Sequence, residues 1–355
     1  MILAVSKRTL EASWKRGVSI CLLPAFILSG CAGPTDGVNE FQLNGWTMGT
    51  AYSVKVPYLP ESVTAEKLKS GIESVLNNVN GTMSTYITDS ELSRFNHGES
   101  TDWFSASPEL VKVVKEALNV SEISSGAFDV TIGPLVNLWG FGPEHRPETQ
   151  PDQKLIDERL KYVGYRHISC REAPPAIRKD NPDVYVDLSA VAKGYGVDRV
   201  AEYLEAQGIE NYLVEVGGEL RVKGLNARKT KWRIAVEKPT PELRTIEAII
   251  ELTDQAVATS GDYRNYFESR GKRFSHTIDP RTGKPITHML ASVTVLSHTS
   301  MRADALATAL IVLGPEQGFA LAERERIPAL FIVKGTKGFV EKRTATFPDY
   351  KQVKE

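Results

Sequence analysis

Apolar and polar positions repeat along this chain with both the helical and the strand period. After Thr64, apolar residues recur at helical spacing, and Ser107-Pro108 is a typical helix cap followed by a first-turn proline, so helices are predicted from both points. Further helices are predicted after residue 188, ending at Gly208, and over residues 300–313 and 315–325. The runs that predict strands are "TAYSVKVPY", "VYVDL", "YLVEV", "ELRVKG", "WRIAV", "IEAIIEL", "ASVTVLSH" and "ALFIV".

The order of these elements predicts the fold class. Helices and strands mix without strict alternation, and several neighbouring strands look like hairpins, with Gly-Gly at 217–218 as one turn. This pattern favours an α+β fold in which mixed, largely antiparallel sheets pack with helices.

The first forty residues have a different character from the rest. Four basic residues precede the short apolar run "VSICLLPAFILSG", which ends in "LSGC" and resembles the lipobox of bacterial lipoproteins. We therefore predict a lipoprotein signal peptide over residues 1–30, a lipidated Cys31, a tether over 31–40 and one folded domain over 41–350. A plain cleaved signal or a tethering helix is the alternative interpretation.

Composition and common motifs exclude several classes of function. The formal net charge is −1 and falls to −4 without residues 1–30, so the chain lacks the basic excess of a nucleic-acid-binding protein. The sequence contains no P-loop, no G-x-G-x-x-G, no G-x-S-x-G and no H-E-x-x-H. Its six histidines are scattered, and with Cys31 lipidated Cys170 has no partner, which argues against a zinc site and a disulfide.

The junction "VYVDLSAVAKGYGVDRV", Val184 to Val200, is one candidate for chemistry. A predicted strand ends in Asp187 and Ser189, and a helix carrying Lys193 follows directly. The free N–H groups at such a helix start, beside a hydroxyl and an ammonium, can hold a phosphate.

Three other segments are weaker when each is taken alone. Tyr86 precedes a short helix capped by Asp89 or Ser90, and the glycine-rich segment 124–142 could cover a planar ring or could be a buried irregular loop. Asp304 and Thr308 lie one turn apart on one helix face among alanines. They could supply two hard oxygens to Mg²⁺, or Asp304 could simply favour a helix N-terminus.

Eight segments in order resemble the ApbE family, the bacterial FAD:protein FMN transferases. The resemblance covers about residues 46–314. It rests on "MGTAYSV", "MSTYITDSELSRFN", "GAFDVTIGPLVNLWGFG", "DLSAVAKGYGVD", "VEVGGELRVKG", "ATSGDYRNYF", "SHTIDPRTGKPI" and "RADALATALIVLG".

The resemblance implies an activity and roles for individual residues. The activity is Mg²⁺-dependent transfer of FMN from FAD to a Ser or Thr hydroxyl of a target flavoprotein through a phosphoester bond, with release of AMP. The metal would be held by the Ala190 carbonyl, Asp304 and Thr308. His276 is the candidate base, and it also belongs to the expected FAD contacts, which are Met48, Tyr86, Ala127, Phe128, Asp129, Asp187, Lys193 and His276.

Two alternative functions stay open at this point. One is a Mg²⁺-dependent FAD pyrophosphatase, in which water replaces the protein hydroxyl, and the other is a non-catalytic periplasmic flavin-binding lipoprotein. The implied partner is a subunit of an Nqr- or Rnf-type redox complex. The expected location is the periplasmic face of a membrane, with the inner membrane predicted, while Ala32 in place of Asp after the cysteine leaves outer-membrane sorting open.

Overall fold

The structure is a computed structural model that describes residues 40–142, 150–240, 245–261, 266–269, 272–336 and 338–352. The predicted signal peptide, the lipidation site Cys31 and all of the tether except Glu40 lie outside the described residues. Those predictions, and the domain boundary drawn from them, stay predictions.

The described part of the chain contains seven α-helices and eighteen β-strands. The helices are α1 (Ala65–Met83), α2 (Glu91–His97), α3 (Pro108–Ile123), α4 (Gly133–Leu138), α5 (Gln153–Leu160), α6 (Ser189–Ala206) and α7 (Ser300–Arg324). The strands are β1 (Phe41–Thr47), β2 (Thr50–Val56), β3 (Phe104–Ser105), β4 (Ile168–Glu172), β5 (Pro175–Lys179), β6 (Tyr212–Val216), β7 (Glu219–Lys223), β8 (Trp232–Glu237), β9 (Ile246–Leu252), β10 (Gln255–Gly261), β11 (Tyr266–Ser269), β12 (Lys272–Ser275), β13 (Ile278–Asp279), β14 (Lys284–Pro285), β15 (Leu290–Ser297), β16 (Ala329–Gly335), β17 (Gly338–Arg343) and β18 (Lys351–Gln352).

One large sheet organises the molecule. Its eight strands lie in the order β1-β2-β6-β7-β10-β15-β16-β17, and smaller sheets are formed by β18-β9-β8, β3-β5-β4, β11-β12 and β13-β14. Every strand pair in the described part of the chain is antiparallel. The predicted α+β class with largely antiparallel sheets is therefore confirmed.

Local capping signals in the sequence correctly predict three helix starts. The side chains of Thr64, Ser90 and Ser107 each accept a hydrogen bond from the backbone N–H three residues later. Each bond satisfies one N–H that has no partner inside its helix, which fixes where α1, α2 and α3 begin.

Helices α6 and α7 pack closely against each other and carry the candidate site. A Cβ added at Gly194 in α6 would lie 2.4 Å from the Ser300 backbone oxygen, so only glycine allows this approach. Helix α7 is interrupted at Gly314, which matches the two helices predicted there. Among the described helices, α7 is the one long and apolar enough to cross a bilayer, but 61% of its apolar window is buried in the protein, as in a core helix.

The predicted strand over residues 184–188 is wrong. This segment joins no sheet, because the side chain of Asn96 takes the place of a neighbouring strand. The Asn96 amide donates to the Val186 oxygen and accepts from the Val186 nitrogen, both at 2.8 Å, and the Asp187 N–H donates to the Val130 oxygen at 2.7 Å. The backbone groups of the segment are thus satisfied by contacts that are distant in sequence.

Candidate active site

The start of α6 presents a carboxylate beside a helix N-terminus. Asp187 accepts hydrogen bonds through Oδ1 from the Ser189 N–H, at 2.8 Å, and from the Ser189 hydroxyl. These bonds hold the turn that leads into the helix, with Ala190 half-buried in its first turn. The predicted meeting of a carboxylate, a hydroxyl and a helix N-terminus is therefore present in the structure.

Helix α7 brings its own carboxylate against α6. Asp304 is 3% exposed, and its Oδ2 lies 3.1 Å from the Gly194 nitrogen and 3.4 Å from Lys193 Nζ. One turn later, Thr308 Oγ1 lies 3.3 Å from Ser260 Oγ on β10. Asp304 and Thr308 thus belong to one face that meets α6 on one side and the large sheet on the other.

A second buried carboxylate, which the sequence analysis missed, completes this cluster. Glu219 begins β7 after a turn in which Gly217 and Gly218 both have positive φ, and it is 5% exposed. Its Oε1 lies 3.6 Å from Lys193 Nζ, and its buried Oε2 has no hydrogen-bond partner within the described part of the chain. No periodic or motif signal marked it, because the Gly-Gly pair already accounted for the segment as a hairpin turn.

The charges of this cluster shift one another's pKa values. Burial lowers the pKa of Lys193, but the adjacent carboxylates of Asp304 and Glu219 outweigh it and raise the pKa above its ordinary value. Burial raises the pKa values of Asp304 and Glu219, in each case against the opposing effect of Lys193. The lysine is therefore a fixed positive charge between two desolvated carboxyl groups.

The glycine-rich segment places Asp129 in a buried network of hydrogen bonds. Its Oδ1 accepts from the Thr131 N–H and hydroxyl at 2.8 and 2.6 Å, and its Oδ2 accepts from the Tyr165 N–H at 2.6 Å. Burial raises the pKa of Asp129 although these bonds oppose the shift.

The neighbouring Ala127 and Phe128 are buried in the core, so the Phe128 ring packs against protein. An open groove beside Asp129 is also lined by Gly126, Arg166 and Arg281.

Met48 and Tyr86 are two further predicted FAD contacts, of which Met48 is half-buried and Tyr86 is exposed. Met48 has a positive φ of 48° and packs against two of the hydrophobic clusters of the core. Tyr86 is 69% exposed, and its pKa is raised by burial of the hydroxyl and by the charge of Asp187. The effect of Asp187 on Tyr86 places this exposed ring on the same side of the molecule as the start of α6.

His276 lies beside the end of the glycine-rich segment. It is half-buried, and its ring centroid is 6.3 Å from that of Phe141 in an edge-to-face arrangement. Nearby, Trp139 is fixed by a hydrogen bond from Nε1 to the Gly283 oxygen at 2.8 Å. The trailing aromatic residues of this segment thus support the region around His276.

The residues of the predicted magnesium site fit such an ion. Asp304 and Thr308 supply a carboxylate and a hydroxyl. In a regular helix the Gly194 N–H points to the Ala190 carbonyl, but here it donates a hydrogen bond to Asp304 Oδ2. Among the residues that the structure describes, no group of three or more His, Cys, Asp or Glu side chains could hold a metal. A set with one carboxylate suits Mg²⁺, which keeps several waters and binds substrate phosphates.

Comparisons with known proteins agree with the sequence motifs. The ApbE family model matches residues 48–331. The chain is 49% identical over 331 residues to the FAD:protein FMN transferase of Vibrio cholerae, covering 93% of this chain and 98% of that protein. It is 40% identical over 343 residues to the protein of the same name from Salmonella typhimurium, covering 94% of this chain and 96% of that protein.

Solved structures show the same architecture. The flavin transferase ApbE from Vibrio cholerae has a TM-score of 0.81 at 48% identity, with 87% of this chain and 98% of that chain covered. The apo form of the flavinyl transferase ApbE from Pseudomonas stutzeri has a TM-score of 0.80 at 40% identity, with 87% and 96% covered. By both sequence and fold, this chain belongs to the ApbE family.

Proposed function

We propose that this protein transfers FMN from FAD to a Ser or Thr hydroxyl of an acceptor flavoprotein. The observation that carries the proposal is the packing of α6 on α7, which places Lys193 3.4 Å from Asp304 and brings a helix N-terminus next to the Asp304–Thr308 face. Relatives at 40–49% identity over nearly the whole chain are named FAD:protein FMN transferase, which supports the same activity.

The proposed reaction exchanges the phosphoanhydride bond of FAD for a phosphoester bond to the acceptor. The acceptor hydroxyl oxygen forms a bond to the phosphorus of the FMN half of FAD, and the bond from that phosphorus to the bridging oxygen breaks. AMP leaves with the bridging oxygen, and the hydroxyl proton passes to a base. Because such transfers need little covalent help from the protein, positioning and charge neutralisation supply most of the rate.

The residues of the cluster would hold Mg²⁺ and the substrate phosphates. The Ala190 carbonyl, Asp304 and Thr308 are the proposed metal ligands, and Mg²⁺ bound there would neutralise charge on the pyrophosphate. Lys193 adds a fixed positive charge next to the N-terminus of α6, where the helix dipole favours a bound anion. Asp187 holds the turn at Ser189 in place.

The remaining predicted contacts would bind the two ends of FAD. Asp129, with Ala127 and Phe128, forms a rigid wall next to an open groove, and Met48 and Tyr86 border the exposed side of the junction. An exposed tyrosine ring can stack on a planar ligand without a large cost in conformational entropy.

His276 is the proposed base that accepts the hydroxyl proton. A neutral imidazole nitrogen can accept the proton of an attacking hydroxyl group. We expect His276→Gln to reduce transfer by about 10²-fold or more, the usual contribution of general-base catalysis, and to remove the acidic limb of the pH-rate profile. An unchanged pH-rate profile in this variant would leave His276 with a binding role only.

We further propose that the protein acts at the periplasmic face of a membrane, anchored through Cys31. The motif "LSGC" and the preceding basic and apolar residues support this location, with the inner membrane preferred. The proposed acceptor is a flavin-carrying subunit of an Nqr- or Rnf-type redox complex.

The decisive experiment is mass spectrometry of a purified Nqr-type acceptor subunit after incubation with the full-length protein, FAD and Mg²⁺. A mass gain equal to one FMN, lost in a chelator control and accompanied by free AMP, is the expected result. Free FMN and AMP in equal amounts with an unmodified acceptor would instead identify a pyrophosphatase. FAD recovered intact would identify a flavin-binding protein without this chemistry.

A further inference from the structure

The ammonium group of Lys193 lies close to three oxygen atoms of the described residues. Nζ lies 3.2 Å from the Ser189 oxygen, 3.4 Å from Asp304 Oδ2 and 3.6 Å from Glu219 Oε1. The first two contacts are hydrogen bonds, and the third is a longer ion pair that leaves one of the three N–H donors of the ammonium facing Glu219. The glycine turn before β7 packs on the stem of the same lysine, because a Cβ at Gly217 would lie 3.4 Å from Lys193 Cδ.

A divalent cation at Asp304 and the ammonium of Lys193 compete for the same carboxylate. Both are positive, and the Asp304 oxygen next to Lys193 is on the only carboxylate of the proposed metal site. A cation bound to Asp304 neutralises this carboxylate and repels the ammonium, which lies 3.4 Å from Oδ2. A partly buried ammonium that loses its counter-ion would oppose metal binding.

Glu219 has the free acceptor that this exchange requires. Its Oε2 is buried, has no hydrogen-bond partner among the residues that the structure describes, and belongs to the carboxylate that already contacts Lys193 through Oε1. We propose that Glu219 is a positioning residue that takes over the Lys193 ammonium when Mg²⁺ binds Asp304. This inference rests on the magnesium site of the proposed function.

Glu219 would affect the affinity for Mg²⁺ through Lys193, without contacting the metal itself. Removing its negative charge leaves Lys193 dependent on Asp304, so the ammonium resists displacement by the cation. Residues that orient a metal ligand without touching the metal typically change metal affinity by about 10- to 100-fold when mutated. We expect an effect of that size from Glu219→Gln, which preserves the shape of the side chain.

The test is a calorimetric titration of MgCl₂ into the full-length protein in detergent and into five variants, one of which is Lys193→Met alone. Glu219→Gln should raise the Kd for Mg²⁺ about tenfold or more. The same substitution made in a Lys193→Met background should change the Kd by less than about threefold, because the competing ammonium is gone. Glu215→Gln on the neighbouring strand β6 is the matched control and should bind Mg²⁺ like the wild type. Glu219→Asp keeps a carboxylate and should recover part of the Mg²⁺ affinity that Glu219→Gln loses.

A second measurement separates positioning from folding. The Mg²⁺ concentration for half-maximal transfer should rise in Glu219→Gln while the rate at saturating Mg²⁺ recovers to within a few fold. A lowered melting temperature with unchanged Mg²⁺ affinity would overturn the proposal, and so would a full effect in the Lys193→Met background, which would mark Glu219 as a ligand. No Mg²⁺ binding by the wild type would instead remove the magnesium site itself, and with it this inference.

Discussion

Two lysines lie on either side of the segment 184–190 in the sequence, one buried and one half-buried, and their surroundings differ. Lys179, at the end of β5, is 1% exposed and donates to three neutral backbone oxygens: those of Asn96 at 2.9 Å, Pro182 at 2.8 Å and Val184 at 3.4 Å. Lys193, in α6, contacts the carboxylates of Asp304 and Glu219. The first lysine is held by dipoles and the second by full charges.

The pKa directions follow from this difference. Burial lowers the pKa of Lys179, with a smaller opposing effect from Asp183, because carbonyl dipoles compensate a buried charge less than a carboxylate does. The pKa of Lys193 is raised by its two carboxylate partners in spite of its burial. A buried lysine paired with carboxylates stays charged, whereas one paired with carbonyls is charged at a cost.

The comparison indicates separate roles for the two side chains. Lys179 and the Asn96 amide together satisfy backbone groups in and next to the segment that leads to Asp187, so they fix where the turn lies. Lys193 organises charge at the turn itself. Changes at Lys179 should therefore affect stability first, and changes in the Lys193 cluster should affect activity first.

The largest expected effect is on activity, from Asp304→Ala in the charged cluster. The variant removes the only carboxylate of the proposed metal site, and we expect transfer to fall by about 10²- to 10³-fold, as for loss of one electrostatic contact to a transition state. Folding should survive, because Glu219 still pairs with Lys193 and the desolvation cost of the Asp304 carboxylate is removed. The measurement is FMN transfer at saturating Mg²⁺, paired with a thermal melt.

The control for this prediction is Asp157→Ala on the exposed surface of α5. It should leave both transfer and melting temperature close to the wild type. An Asp304→Ala protein that fails to fold would show that the carboxylate serves the packing of α6 on α7, through its bond with the Gly194 N–H, more than the reaction.

The second prediction concerns stability and uses the other lysine. Lys179→Met leaves three backbone oxygens without their donor, and buried unsatisfied acceptors cost about 1–3 kcal/mol each, so we expect the free energy of unfolding to fall by about 3 kcal/mol. Urea denaturation measures this change. Lys154→Met on the exposed face of α5 is the control, and a loss below about 1 kcal/mol would contradict the structural role.

The comparison also explains what the sequence could predict. Helix starts at Thr64, Ser90 and Ser107 depend on contacts three residues away, so their residue types alone predict them. The pairing of Asp304 with Thr308 on one face follows from helical geometry in the same way. These are local properties of the chain.

Contacts between distant residues could not be predicted in this way. The alternating run 184–188 has the composition of a strand, but its hydrogen bonds come from Asn96, ninety positions earlier, and no sheet forms there. Glu219 looks like an ordinary hairpin residue until the fold brings it to Lys193. In both cases the deciding partner lies far away in sequence, where neither period nor spacing can indicate it.

The smallest expected effect is a difference in the pH dependence of stability between the two lysines. Lys179 has a folded pKa below its ordinary value of 10.5, so the unfolded chain binds more protons between those two values and stability rises with pH there. Lys193 has a raised pKa, so its stabilising contribution is complete below pH 10.5 and is lost only as pH rises further. Each slope is limited to about 1.4 kcal/mol per pH unit.

Unfolding free energies of the wild type, Lys179→Met and Lys193→Met, measured from pH 8 to 11, test these opposite signs. The wild type should gain stability relative to Lys179→Met as the pH approaches 10.5. Relative to Lys193→Met it should stay level over the same range and lose stability only above it. Equal slopes for the two pairs would mean that carbonyl dipoles compensate the charge of Lys179 as fully as carboxylates compensate that of Lys193, and the distinction between the two lysines would then rest on position alone.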